Sequence, residues 1–400
     1  MKKLLLFLFF ASLGIKSFAQ TIIQGKVVDE TTGEAIPFVS LMIVGTQTTS
    51  ITNENGDFTI KASNLPVKLK LSHVSYLISE TDVKSLSDNF VVKLKQASIN
   101  LSEVKIDPYL GKRILKNALE KAAKYKDENH YLKVFYRQLT SVNNNPTKIH
   151  EIFYDIKWNV TRTTGWIAKQ TRFAESKNQI AFDLSNQSYF TFGSSGYLIQ
   201  PNSGTFITTK TLDKYTIEVE RYIEQADQDI AVITCKIKKA GKKQFYTNST
   251  YYVGTEDLKI YRLENNILNL PMNLSNGSNF KYPPIVKTIA TFKSTSDSVS
   301  VLESISTKMY LSVNYMDRMR SSDLSAIVSS LLTVYQEDDS LKNESFQSVK
   351  RDTKDKNIVE SIKYNADFWR NNPIVKQTSL EDKFSKMMEG QNAFGTMINP

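Results

Sequence analysis

Residues 151–160 read Glu-Ile-Phe-Tyr-Asp-Ile-Lys-Trp-Asn-Val. Ile152, Tyr154, Ile156, Trp158 and Val160 fall on alternate positions, while Glu151, Asp155, Lys157 and Asn159 take the positions between. Successive side chains of an extended strand point to opposite faces, so this pattern predicts a strand with one apolar and one polar side. The same period recurs on both sides of it. Tyr215, Ile217 and Val219 alternate with Thr216, Glu218 and Glu220; Ala231, Ile233, Cys235 and Ile237 repeat the pattern after a polar turn at 227–229. Residues 251–260 read as strand, turn, strand, and Ile305, Thr307, Met309, Leu311 and Val313 form a late strand. Alternation with one polar face predicts an antiparallel sheet, wet on one side. The economical architecture is one large curved antiparallel sheet with packed helices, an α+β domain over 109–390. Residues 391–400 read as a flexible tail.

One helix stands before this sheet. After a linker, residues 96–108, ending at Pro108, the stretch Tyr109–Lys126 places Leu110, Ile114, Leu115, Ala118, Leu119 and Ala122 on one stripe, which suits a helix lying on a sheet. A second helix is predicted near the end of the chain. Ser379 serves as cap, Asp382 completes a weaker capping box, and Phe384, Met387 and Met388 share a face before Gly390.

The first 19 residues read as a signal peptide: Lys2 and Lys3, an apolar run from Leu4 to Ile15, then Ser17-Phe18-Ala19 before Gln20. The run is too short to span a bilayer, and no second long apolar run follows, so no transmembrane segment is expected after signal removal. The expected address is the periplasm or outer-membrane periphery of a Gram-negative bacterium. Without Lys2, Lys3 and Lys16 the chain has 48 basic and 41 acidic residues, a formal charge of +7. That excess is thinly spread; its densest run, Lys236, Lys238, Lys239, Lys242 and Lys243, reads as a solvated hairpin end. Export argues against a nucleic-acid partner and leaves an envelope protein, glycan or lipid.

Between Ile22 and Leu94 short strands follow one another at close spacing, which suggests a β-sandwich. The stretch Thr52-Asn-Glu-Asn-Gly-Asp-Phe-Thr-Ile60 concentrates oxygen ligands around Gly56. Aligned as a calcium loop it puts Ile51 first and Ala62 twelfth, where ligands are required. A tight hairpin turn of type I′ at Asn55-Gly56 is the better reading.

The order Gly25-Lys-Val-Val-Asp-Glu-Thr-Thr-Gly-Glu-Ala-Ile-Pro-Phe-Val-Ser40, Val44-Gly-Thr46, residues 52–60, Leu69-Lys-Leu-Ser-His-Val-Ser-Tyr76 and Leu101-Ser-Glu-Val-Lys-Ile106 resembles the carboxypeptidase-regulatory-like domain. That family is a transthyretin-like β-sandwich found in exported bacterial proteins, often at the head of outer-membrane receptors. The resemblance covers residues 21–106, with the sandwich itself placed at 21–95. It departs at Ser75, where the family usually has glycine before the tyrosine. The resemblance implies a non-catalytic accessory for folding, docking or ligand binding.

Catalytic and metal chemistry is poorly served. His150-Glu151 opens like a zinc-peptidase motif, but Tyr154 stands where the second histidine belongs, and His73 and His130 open no such motif. Cys235 is the single cysteine, so no internal disulfide forms, and its alternation with Ile233 and Ile237 places it in a core. No nucleophile elbow, P-loop or dinucleotide fingerprint occurs. The sequence therefore points to no catalytic, metal or cofactor residues and no cofactor. The expectation is an exported envelope binding or scaffold protein without catalytic activity. Two alternatives stand beside it: a periplasmic carrier shielding a lipid or other apolar ligand on the curved sheet, and an envelope glycan hydrolase using a carboxylate pair drawn from residues such as Asp155, Glu218 and Glu220. A 22-stranded barrel is too long for the 294 residues after Ile106, since its strands alone take ~220.

Overall fold

The computed structural model describes residues 21–87, 90–100, 107–176, 186–200, 206–241, 244–274, 278–294, 298–317, 320–372, 374–391 and 393–394. The expected signal peptide and the end of the expected tail lie outside these residues.

The chain is mainly β. Its first strands, β1 (Thr21–Asp29), β2 (Ser40–Ile43), β3 (Thr49–Ile51), β4 (Asp57–Ala62), β5 (Val67–His73), β6 (Tyr76–Val83) and β7 (Val91–Leu94), form two sheets, β4-β1-β7 and β3-β2-β5-β6. Ile23, Val27, Leu41, Phe58, Leu69 and Leu71 fill one core between them. The turn at 53–56 corrects the hairpin expectation in two ways. It joins β3 to β4, which belong to different sheets. Only Gly56 takes a positive φ, +73°, so the turn is not type I′, which needs two such residues. Asn53 organises it instead: its Oδ1 accepts from Asn55 N at 2.9 Å and Asp57 N at 3.0 Å. A Cβ on Gly56 would lie 2.6 Å from the Val27 carbonyl, so the turn is pressed against β1.

The remaining strands are β8 (Ile99–Asn100), β9 (His130–Val142), β10 (Asn145–Asn159), β11 (Arg162–Glu175), β12 (Tyr215–Glu224), β13 (Asp229–Ile237), β14 (Tyr246–Gly254), β15 (Ile260–Leu268), β16 (Asn279–Ser294), β17 (Ser300–Asp317), β18 (Arg320–Glu337) and β19 (Gln347–Ser348). They make one 12-stranded sheet in the order β19-β11-β10-β9-β18-β17-β16-β15-β14-β13-β12-β8. Every pairing in it is antiparallel. β8 lies inside the expected linker and pairs with Tyr222 and Ile223. No helix of the described residues is long and apolar enough to cross a membrane.

One face of this sheet, the helix face, carries α1 (Leu110–Lys124). Its buried Leu115, Ala118, Leu119 and Ala122 share a core with Ile217, Ile233, Tyr251, Tyr154 and Trp158. Lys121 and Lys124 in the last turn suit the negative end of the helix dipole. α2 (Gln187–Gly193) lies on the same face near β17 and β18.

The opposite face is not wet where the sequence predicts it, and this is a correction. Arg137, Glu151, Phe153 and Asp155 are all buried. Two layers cover them. The sandwich brings Phe38 and Ile51 against Phe135 and Phe153. The end of the chain supplies α3 (Asp355–Glu360), α4 (Ala366–Asn371) and α5 (Ser379–Gly390). Ile358 and Val359 join the core of the helix face, whereas Trp369, Val375, Phe384 and Met388 pack on the other, so this segment wraps the β11 edge. It thereby shields a strand edge that would otherwise offer pairing partners. The cap of α5 is Thr378, one residue before the expected Ser379: Thr378 Oγ1 accepts from Glu381 N, and Glu381 Oε2 accepts from Thr378 N at 2.7 Å. Met387 does not share the buried face and is 44% exposed.

Candidate functional site on the helix face

Antiparallel register turns isolated polar positions into a continuous feature. Ser249, Asn265, Thr288, Thr307, Ser330, Gln138 and His150 are consecutive direct partners across seven strands, from β14 to β10. Each interrupts an apolar alternation, and all point to the helix face. All but Asn265 are buried. Ser249 Oγ lies 2.6 Å from Asn265 Oδ1, and Asn265 Nδ2 donates to Thr288 Oγ1 at 3.2 Å. Farther along, Thr191 Oγ1 of α2 stands 2.9 Å from Ser330 Oγ, and Tyr136 OH donates to Gln138 Oε1 at 3.0 Å.

This row divides the face. On one side lies the core filled by α1 and by Phe192, Tyr197 and Leu198. On the other, Val142, Ile267, Val286, Met309, Leu311, Val313, Leu324, Ala326 and Val328 form an apolar floor on the far ends of the strands. Partly buried side chains cover that floor, among them Phe190, Phe245, Leu270, Met272, Leu274 and Phe280. Phe245, Leu270, Met272 and Leu274 stand outside the strands, so the basin is roofed by connecting segments, where the core on the other side is roofed by a helix. Leu and Met on short loops adapt to apolar ligands of varied shape.

The row itself contains no Lys, Arg, Asp or Glu, and Lys148 lies beside it, opposite Thr140. Burial, reinforced by the negative charge of Asp355, pushes the phenols of Tyr136 and Tyr154 well above their ordinary value. Burial also pushes the Cys235 thiol up, which leaves it a neutral apolar side chain and not a nucleophile. Asp355 is engaged by Ser188 through both its N–H, at 3.2 Å, and its hydroxyl.

The other residues weighed from sequence are scattered. His73 lies between the sandwich and β15, its Nε2 3.3 Å from Arg262; burial and then the charge of Arg262 lower its pKa to about 3. His130 sits between Glu128 and Glu337 at 3.5 and 3.3 Å, and packs at a tilt against Trp158. His150 packs edge-on against Phe173. Among the described residues, no three His, Cys, Asp or Glu side chains converge as metal ligands. Asp155 is buried on the sandwich face beside Lys169 at 3.1 Å, whereas Glu218 and Glu220 are exposed on β12 near the far edge of the sheet. The structure thus does not bring Asp155 together with either of them. A cleft of about 540 Å³ on the sandwich face is lined by Gln24, Arg137, Glu151, Trp369, Asp382 and Lys386. Two of its acids are already matched, Glu151 to Arg137 and Arg172 and Asp382 to Lys386; Asp57 also lines it.

Sequence reading missed the row. Its signal was present in the strands as polar residues on an otherwise apolar face, but only the register aligns them.

Residues 23–106 match the family model described as CarboxypepD_reg-like domain, so the chain carries that domain at its head. Among curated protein sequences none matches. Several solved structures are similar over part of the chain. A domain from Vibrio parahaemolyticus, assigned to outer-membrane lipoprotein sorting, shares 12% identity over 62% of this chain and 99% of that one, with a TM-score of 0.27. A LolA superfamily protein from Nitrosomonas europaea shares 8% over 57% and 96%, at 0.19. A chain of the Pseudomonas aeruginosa MucA/MucB complex shares 9% over 55% and 93%, at 0.18. Superpositions this loose do not bear on what this chain binds.

Proposed function

We propose that the protein is an exported, non-catalytic binding protein of the cell envelope that shelters an apolar or amphiphilic ligand on the helix face of its large sheet. The carrying observation is the loop-roofed apolar basin beyond the polar row. Phe190, Phe245, Leu270, Met272 and Leu274 pack over the apolar floor and all five retain solvent contact, so an apolar ligand has a path to it. In this reading the N-terminal domain is transthyretin-like and acts as a docking or stabilising accessory, and the sheet curves around the ligand. The signal-like first 19 residues support a periplasmic address.

The test is titration of the purified chain with N-phenyl-1-naphthylamine, an apolar fluorescent reporter. A saturable rise in emission is expected, weakened at least tenfold in Met272→Asp, with the thermal midpoint unchanged because Met272 is only partly buried. Absence of any saturable rise in the parent protein would sink the carrier reading and leave a filled scaffold.

A further inference from the structure

Four buried polar side chains at one end of the row have hydrogen-bonding capacity that the protein does not use. Gln138 Nε2, Gln187 Nε2, Thr140 Oγ1 and Thr307 Oγ1 have no partner within the chain, and their residues are at most 2% exposed. They belong to one neighbourhood. Gln138 and Thr307 flank Ser330 on adjacent strands. Thr140 is the next helix-face residue after Gln138 on β9. Gln187 lies one turn before Thr191, which bonds Ser330 and donates back to the Gln187 carbonyl at 3.0 Å. Buried polar groups in folded proteins are almost all satisfied, and each exception costs ~1–3 kcal/mol. Four together mark a place completed by something that binds.

The kind of group follows from what is left over. Gln138 Oε1 is occupied by Tyr136, so Gln138 offers only N–H donors. Gln187 likewise offers its amide N–H groups, and the two threonines offer hydroxyls. The surplus is mainly donors, and the cation opposite Thr140, Lys148, is already paired with Glu175 at 3.7 Å and lies over the Phe173 ring, so a bare carboxylate or phosphate would be buried uncompensated. A neutral acceptor fits. The apolar basin begins on the next rungs, at Val328 and Met309. We infer that Gln138, Gln187, Thr140 and Thr307 receive the carbonyl oxygens of an ester-linked acyl lipid whose hydrocarbon lies in that basin. This rests on the carrier reading and adds to it the chemical class of ligand.

The experiment uses the full chain and displacement of N-phenyl-1-naphthylamine by three probes: dioctanoylglycerol, its ether-linked counterpart dioctylglycerol, and octanoate. The ester is expected to displace the reporter at a concentration at least tenfold below the ether, with octanoate weakest. Gln138→Leu combined with Gln187→Leu should abolish the difference between ester and ether while the reporter still binds. Thr307→Val, which conserves volume, should cut the ester preference about two- to tenfold, the worth of one neutral hydrogen bond, and serves if the double variant does not fold. Equal potency of ester and ether on the parent chain would overturn the assignment, the row then being satisfied by water alone. Octanoate matching the ester would overturn it in favour of a carboxylate. Either result leaves the apolar basin standing, whereas failure of the reporter itself to bind strikes the carrier reading.

Discussion

Arg137 and Glu151 face each other across β9 and β10, Nε to Oε1 at 2.6 Å, with side chains 5% and 1% exposed. Arg172 of β11 closes on the second carboxylate oxygen. Arg137 also donates to the Val375 carbonyl at 3.1 Å and approaches Glu381 at 3.5 Å. Arg172 lies over the rings of Trp369 and Phe394 at 4.7 and 4.8 Å. One buried acid therefore holds two cations, and those cations hold the end of the chain against the sheet.

Replacing Glu151 by Gln leaves two mostly buried guanidinium groups with only the more distant Glu381 and Glu389, each at 3.5 Å, as counter-charges. Loss of one partner from a buried pair costs ~3–5 kcal/mol. Chemical denaturation of Glu151→Gln is expected to show a loss of that order, and a change under 1 kcal/mol would show that the cluster is solvated in solution.

Acid should act through the same group. Burial would raise the Glu151 carboxyl, but the charges of Arg172 and Arg137 and their hydrogen bonds outweigh it and hold it below the usual range. A carboxylate lowered on folding stabilises the native state above its unfolded value of ~4.3, and that stability fades as pH falls through the lower folded value. Proteolysis within residues 374–391 should accelerate on acidification below about pH 4 in the parent chain. In Glu151→Gln it should be fast already at neutral pH and respond little to acid; equal acid responses in the two would refute the linkage.

Two glycines should answer differently to alanine. A Cβ at Gly196 would stand 2.2 Å from the Thr161 carbonyl carbon, a backbone atom that cannot rotate away. Gly196→Ala is expected to cost ~1–3 kcal/mol or more through backbone displacement. At Gly111 the nearest atom is Val219 N at 3.0 Å, and the position is helical, where alanine gains ~1 kcal/mol over glycine. Gly111→Ala should therefore fall within about 1 kcal/mol of the parent. Thermal midpoints of the pair decide this, and the opposite ranking would refute both close approaches.

Asn53 should be worth more than a turn residue. Besides the turn bonds, its Nδ2 donates to the Lys376 carbonyl at 3.1 Å, and the adjacent Glu54 pairs with Lys308 at 2.8 Å. Asn53→Ala loses bonds in both places, each worth ~0.5–1.5 kcal/mol net. Hydrogen exchange should quicken in residues 374–378 as well as in 52–58. Quickening confined to the turn would show that the sandwich and the chain end are not coupled there.

Much of the secondary structure was legible because strand alternation is a local property. The faces of β10, β13 and β17 and the stripe of α1 follow from residues a few positions apart. β18 was missed although Leu324, Ala326, Val328, Ser330, Leu332 and Val334 alternate within it. Its intervening positions are largely serine, leucine and isoleucine, which blurs the contrast between faces for a central strand buried between β17 and β9. The capping box slipped by one residue because Thr378 and Ser379 are both competent caps, and only the backbone geometry separates them.

By itself the sequence determined the extended geometry, the apolar side of each strand, the early helix and the identity of the N-terminal domain, because steric alternation and turn chemistry act between near neighbours. Tertiary structure alone decided that Glu151 and Asp155 would be buried, since the residues covering them lie about 100 to 240 positions away along the chain. It also decided that Gln138, Ser330, Thr307, Thr288, Asn265 and Ser249 would stand in line. Register between strands is set by the packing of whole layers, and a shift of one residue in any strand would have carried its member of the row to the other face.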